Sequence, residues 1–333
     1  AASGALHLRN EHANVQYRIG GVQLPDGVAG FGQILDAGFV GELSVLDGAL
    51  PAQYGLHTSG VVDVAPKADA FQGGHVGVSG GSQGTISPTF DYGGTVGRTQ
   101  YYVMGRGFWT GEGIENPTPS YRPVHDDSAQ SRFFGYATTD LGDGARLTFI
   151  TGAATGAYQI PNNPGQTPAF AVPGAKDSAA INETQFERSL YNVLAWQKSE
   201  GAFDLQLSAF SRYSDLHFKP DQASDLAYNG VASEVRRSSF MNGLQGDAAY
   251  RLDAAHTLRF GFTGSGEYAK ADNASVVFPV DGDGAVSGPA FAAPAQNSAK
   301  VGWFAGVYLQ DEWKLTNQLT LNYGARFDQM AGY

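Results

Sequence analysis

Cysteine is absent from the 333 residues. That removes disulfides, thiolate catalysis and cysteine-type zinc sites together. Charge is scarce too. Asp, Glu, Lys and Arg make up 16% of the chain, against about 25% in ordinary soluble domains. The balance is acidic, 32 Asp and Glu against 21 Lys and Arg, for a net charge of −11. Nucleic acid is therefore not an expected partner, because such binding rests on neutralising phosphates with Lys and Arg. No stretch approaches 18 consecutive apolar residues, which excludes a membrane-spanning helix. A membrane-spanning strand needs only about 10 alternating residues and leaves no such run, so a membrane is not excluded. No basic start followed by an apolar segment marks a signal peptide, so the chain is expected either to be mature or to lack its start.

Glycine and aromatics fill the space that charge leaves. There are 45 Gly, 20 Phe and 16 Tyr. From about residue 73 the apolar residues recur with period two. In "QLTLNYGARFD" (318–328), Leu319, Leu321, Tyr323, Ala325 and Phe327 share one face, while Thr320, Asn322, Arg326 and Asp328 share the other. Val301, Trp303, Ala305, Val307 and Leu309 alternate likewise, as do Leu258, Phe260 and Phe262. Such alternation predicts strands with one apolar face. Eleven are expected, near 73–82, 85–96, 99–110, 130–141, 145–157, 187–198, 203–214, 236–252, 256–268, 299–313 and 318–330. Short turns near 96–99, 141–145, 199–202, 252–256 and 314–318 alternate with long polar loops near 111–129, 158–186, 215–235 and 269–298. Alternating short and long connections belong to an antiparallel outer-membrane barrel, with short turns on one side and longer loops on the other. Only helices and closed barrels satisfy every backbone group in hydrocarbon. Phe108, Trp109, Trp196, Trp303 and Trp313 stand near strand ends, as interfacial girdles require. A soluble β-sandwich is the alternative, but its strands average about 5–6 residues. Bacterial single-chain barrels have even strand numbers, so eleven strands predict a fragment.

Residues 1–70 read differently. Val15, Tyr17 and Ile19 alternate into a Gly20-Gly21 hairpin signal. "GQILDAGFVGEL" (32–43) reads as a short helix, followed by strands at 42–46 and 60–64 around a small-residue turn. This is a small α+β unit whose strands are too short to span a membrane. Glu42-Leu43-Ser44-Val45-Leu46-Asp47-Gly48, then Pro51-Ala52-Gln53-Tyr54-Gly55, then Ser59-Gly60-Val61-Val62-Asp63-Val64 resembles the end of the plug in TonB-dependent outer-membrane receptors. The pair Tyr308–Trp313 and Leu319–Asp328 is similar to that family's mid-barrel strands. Gly20-Gly21 stands where the family commonly has Asp-Gly, and Asp47 where a basic residue is frequent.

The resemblance implies the C-terminal part of a plug domain at 1–67, with Gly48, Pro51, Tyr54, Gly55 and Gly60 as its signature. It implies the N-terminal half of a 22-strand transmembrane β-barrel at 73–333. It implies energy-coupled uptake, through the bacterial outer membrane into the periplasm, of a scarce small-molecule or metal-chelate ligand such as an iron-siderophore, cobalamin or carbohydrate. The implied partners are outer-membrane lipid and TonB with its inner-membrane complex. A signal peptide, a TonB-contacting segment and the second barrel half are expected outside these residues. A passive porin or adhesin barrel with an N-terminal cap is the alternative.

No cofactor and no catalytic constellation are expected. His7, Glu11 and His12 lack metal-site spacing, "DGDG" at 281–284 lacks the calcium-loop pattern, and Asp126-Asp127 reads as a solvated loop. Tyr54 is either a reporter of ligand binding or a packed aromatic fixing its turn. Trp109, Tyr121, Tyr158 and Phe170 form a candidate ligand platform, with girdle or loop packing as the other reading.

Overall fold

The computed structural model describes residues 15–25, 37–48, 50–55, 59–67, 72–283 and 285–332. They form two sheets. The small one joins β1 (Val15–Ile19), β2 (Val22–Gln23), β3 (Val40–Leu46) and β4 (Gly60–Pro66) in the order β2-β1-β4-β3. β1 and β4 run parallel, and the other pairs are antiparallel. Gly20 and Gly21 both adopt positive φ, 58° and 77°, the backbone that a two-residue turn needs for its twist to match the strands.

The large sheet holds the eleven expected strands, each paired antiparallel with its neighbours in the chain. They are β5 (Gly73–Gly80), β6 (Ile86–Val96), β7 (Thr99–Thr110), β8 (Ser128–Gly142), β9 (Ala145–Gln159), β10 (Thr184–Glu200), β11 (Phe203–Lys219), β12 (Val231–Arg251), β13 (His256–Val277), β15 (Gln296–Lys314) and β16 (Thr320–Ala331). A two-residue strand, β14 (Phe291–Ala292), adds to β13. Among the described residues β5 and β16 have one sheet neighbour each, so the sheet is open at both edges.

The two faces of this sheet are inverted relative to a water-soluble protein. Leu309 and Phe327, on the outward face, are 58% and 63% exposed, whereas inward Arg212 and Gln245 are 3% and 4% exposed. Phe262, Leu244 and Val307 also point outward. A soluble sandwich buries its apolar face against a second sheet. Among the described residues that face has no protein partner, the arrangement expected of a wall whose outer face meets hydrocarbon. The soluble-sandwich alternative is set aside on this ground.

Inside, the small sheet packs against the wall. Val15, Ile19, Val22, Leu24, Phe39, Val62 and Val64 form one core with Tyr102, Met104, Phe134, Ile150, Tyr191 and Val193. Phe39 stacks on Phe134 at 3.9 Å between ring centroids. Each such side chain fully removed from water contributes about 1.5–3 kcal/mol. Part of the high glycine content has its use on this wall. A Cβ on Gly152 would lie 2.5 Å from the Tyr191 ring, so a side chain there would displace a buried aromatic.

Three expectations need correction. The 32–43 helix is absent over its described part: Ala37–Phe39 forms a single 3-10 turn, and Val40 already begins β3. Gly38 and Gly41 favour neither end of a longer helix, and β-branched Val40 and Val45 suit a strand. The 215–235 loop is mostly structure. β11 runs on to Lys219, and α1 (Gln222–Asn229) follows, closed by Gly230 at φ 73°. The strands also outrun their apolar faces. β12 and β13 have 21 and 22 residues, about twice the 9–11 that cross a bilayer, so their far halves stand beyond the apolar band.

Candidate functional site

The turn between β3 and β4 is where the small sheet meets the far wall. Gly48 bends the chain with φ 102°, and extended Pro51 (ψ 157°) starts a 3-10 turn over Ala52–Tyr54. Tyr54 N donates to Pro51 O at 3.1 Å, and Gly55 N to Ala52 O at 3.3 Å. Gly55 then takes φ 61°, and a Cβ there would lie 2.7 Å from the Arg326 guanidinium carbon. Gln53 N donates to Gln310 Oε1 on β15 at 3.0 Å. Arg326 is itself held by Asp328, at 2.8 and 2.9 Å from its Nε. Gly60 opens β4 and pairs with Val15.

Tyr54 is fixed from the small sheet. Gln16 Nε2 donates to its carbonyl at 3.4 Å, and the Arg18 guanidinium lies 5.8 Å from its ring centroid. Arg18 in turn donates to Gly21 O at 2.5 and 3.1 Å. Elsewhere the small sheet is tied to the wall by Tyr102 OH donating to Gly38 O at 3.3 Å and Gln206 Nε2 to Gly21 O at 3.4 Å. These ties, with the core, run from β7 round to β16.

At the long-loop end, the connections join one another. Asn162 N donates to Val124 O at 2.9 Å, and Phe170 N to Ala227 O at 2.9 Å. His125 bridges Ile160 O and Asn182 Oδ1 at 2.9 and 2.8 Å. Lys176 Nζ and Asn182 N both donate to Asp221 Oδ2, at 2.6 and 3.0 Å. Burial pushes the Asp221 carboxyl up, but these donors outweigh it and hold the group below its ordinary range. Asp225 of α1 moves the other way. Burial, a hydrogen bond with Glu183 and the charges of Glu183 and Asp221 push it to about 8.

The predicted platform residues do not converge. Trp109 faces outward and is exposed, whereas Tyr158 faces inward and is buried. Tyr121 is exposed in the first long loop, and its carbonyl accepts from Gln83 Nε2. Phe170 packs on Phe278, 5.2 Å between centroids, beside Gly230. Asp126 is a correction: it is buried, not solvated, and Oδ1 accepts from Ile114 N at 2.7 Å. Asp281 caps its own turn, accepting from Asp283 N and Ala285 N at 3.0 and 2.9 Å. His7, Glu11 and His12 lie outside the described residues. Among the described residues no three His, Cys, Asp or Glu side chains are placed to hold a metal ion.

Sequence reasoning missed the inward polar network. Arg212 Nη2 reaches Ser239 Oγ and Glu267 Oε1, both at 3.2 Å, and Tyr308 OH donates to Asp247 Oδ1 at 2.7 Å. The available signal was the parity of these residues, opposite to Leu207, Leu244 and Phe262.

Residues 120–333 match the model of a family described as "TonB dependent receptor-like, beta-barrel". The chain belongs to this family. Solved structures share its fold. The ferripyoverdine receptor of the outer membrane of Pseudomonas aeruginosa is 15% identical, with a TM-score of 0.69 over 98% of this chain and 47% of that one. The ferric yersiniabactin uptake receptor of Yersinia pestis is 11% identical, with a TM-score of 0.65 over 99% and 54%. The ferric citrate transporter FecA is 12% identical, with a TM-score of 0.67 over 96% and 48%. The chain thus spans about half the length of the solved structures it matches. No curated protein matches it.

Proposed function

We propose that this chain is part of a TonB-dependent outer-membrane receptor that takes up a small-molecule or metal-chelate ligand. Residues up to 67 are then the C-terminal part of the plug, and residues 73–333 the first half of the barrel. Further strands between β16 and β5 complete the wall. The observation that carries this reading is a wall apolar outside and polar inside, with a small sheet fastened to its inner face by side chains from β7 to β16. A passive pore needs no second sheet within its wall. An energy-coupled receptor needs one that blocks the path and is held by contacts weak enough to release. Individual hydrogen bonds such as Gln53 to Gln310 contribute about 1 kcal/mol each, which suits that requirement.

The ferripyoverdine receptor, the ferric yersiniabactin uptake receptor and the ferric citrate transporter share this fold, so ferric chelates are the first ligands to offer. In a strain lacking the gene, uptake of the matching labelled chelate under iron limitation is expected to fall to background and to return on complementation. In the complemented strain, removal of TonB is expected to abolish uptake again. Uptake that persists without TonB favours the passive-barrel reading instead.

A further inference from the structure

The small sheet is held differently on its two sides. Among the described residues, every buried wall side chain in its apolar core belongs to β7–β10. Tyr102 and Met104 stand on β7, Phe134 on β8, Ile150 on β9, and Tyr191, Val193 and Ala195 on β10. From β11 onward the wall adds one partly buried apolar side chain, Phe210, to that core. The ties on this second side are polar. Gln206 donates to Gly21 O, Gln53 N donates to Gln310 Oε1, and the Arg326 guanidinium lies over Gly55.

The inward rungs of the wall show the change. Tyr191 on β10 faces Arg212 on β11, and that rung continues through Met241 to Glu267. Two inward rungs nearer the short turns, Ala195 is followed by Ser208, Gln245 and Thr263. Ser208 and Gln245 are each 4% exposed. Ser208 Oγ and Gln245 Nε2 have no hydrogen-bond partner among the described residues. They offer a hydroxyl and an amide to a solute that comes between sheet and wall. The two sides also part at different cost. Water replaces a hydrogen bond such as Gln206 to Gly21 almost evenly. It has nothing comparable to give the stacked rings of Phe39 and Phe134.

We propose that the small sheet stays seated on β7–β10 and parts from β11–β16, and that a hydrophilic ligand passes through the gap so opened. Ser208 and Gln245 line the passage, with the Arg212–Glu267 pair above them toward the long loops. A ligand bearing hydroxyl, amide or carboxylate groups finds partners along it. The proposal rests on the energy-coupled reading above.

The test needs no particular ligand. The full-length receptor is placed in planar bilayers under graded urea, and ionic current reports the opened path. The 333 residues hold no cysteine, so Ser208→Cys, Gln245→Cys and Val193→Cys each add a single thiol to them. A charged methanethiosulfonate reagent is then applied to the open state, with the unmutated receptor as background. It is expected to cut the current about twofold in Ser208→Cys and Gln245→Cys, as a bulky charge does in a pore lining. Val193→Cys should not respond, because the seated sheet covers it. Unaltered migration in unheated gels shows that each variant is folded. A response of folded Val193→Cys equal to or above the other two, or no response in either of those two, overturns the inference alone. Absence of current up to the urea that unfolds the barrel does the same. Current through the unmutated receptor without urea marks a passive pore, which overturns the reading beneath the inference and the inference with it.

Discussion

Asp225 keeps its proton to about pH 8, because its carboxyl is buried against Glu183 and Asp221. An unfolded loop would release that proton near the ordinary 3.8. The folded loops therefore bind a proton more tightly than the unfolded ones, and their stability falls as pH rises from about 4 to about 8. The charged groups acting on Asp225 are the acids Glu183 and Asp221, and Lys176 is committed to Asp221. Amide exchange in 160–183 and 222–229 is expected to quicken between pH 6 and pH 9, after correction for the intrinsic rate. Asp225→Asn should remove that pH dependence. A wild-type profile flat across this range would contradict it. Tyr54 illustrates the same scale in another way. The sequence left open whether it reports a ligand or packs a turn, and the structure surrounds it with Gln16 and Arg18 from β1.

A strand here is two pieces with different neighbours. The half near the short turns presents an apolar outward face, and the far half a mixed one. Phe262 lies outward, a few residues into β13, and Ala274 lies outward on the same strand beyond the apolar band. Phe262→Arg is expected to destabilise the folded barrel by about 2–4 kcal/mol, and Ala274→Arg by about 0–1. Urea unfolding in lipid vesicles measures both, and equal effects would refute the two-piece description. The eleven strands were legible because their outward faces are apolar and their inward faces polar, which forces alternation. Their far halves were not, since polar residues occur on both faces there. Helix α1 had its marks, Pro220 before it and Gly230 after it, which were absorbed into a polar stretch. The aromatic platform failed for a geometrical reason. Trp109 and Tyr158 were read as loop aromatics, but both lie at strand ends, where parity sends one ring out and the other in.

At the scale of the molecule, the small sheet depends on contacts far from it in the chain. Gln53 and Gln310 are 257 residues apart, while every long strand of the wall pairs with its neighbour in sequence. Gln310→Ala removes the acceptor of Gln53 N, at a cost of about 1 kcal/mol. Amide exchange is expected to quicken at 52–55 and to stay unchanged in β7–β10, and uniform exchange throughout would argue against a local anchor. The same arrangement sets an order of assembly. Wall strands form by zipping neighbours together, which closes only short loops each time. The small sheet is synthesised before the strands that enclose it, and Gln310 on β15 follows its partner Gln53 by 257 residues. The chain must therefore carry this sheet as a loosely held passenger while β5 to β13 are made. Mutations in β15 and β16 should then act on capture of the passenger and not on growth of the strands before them.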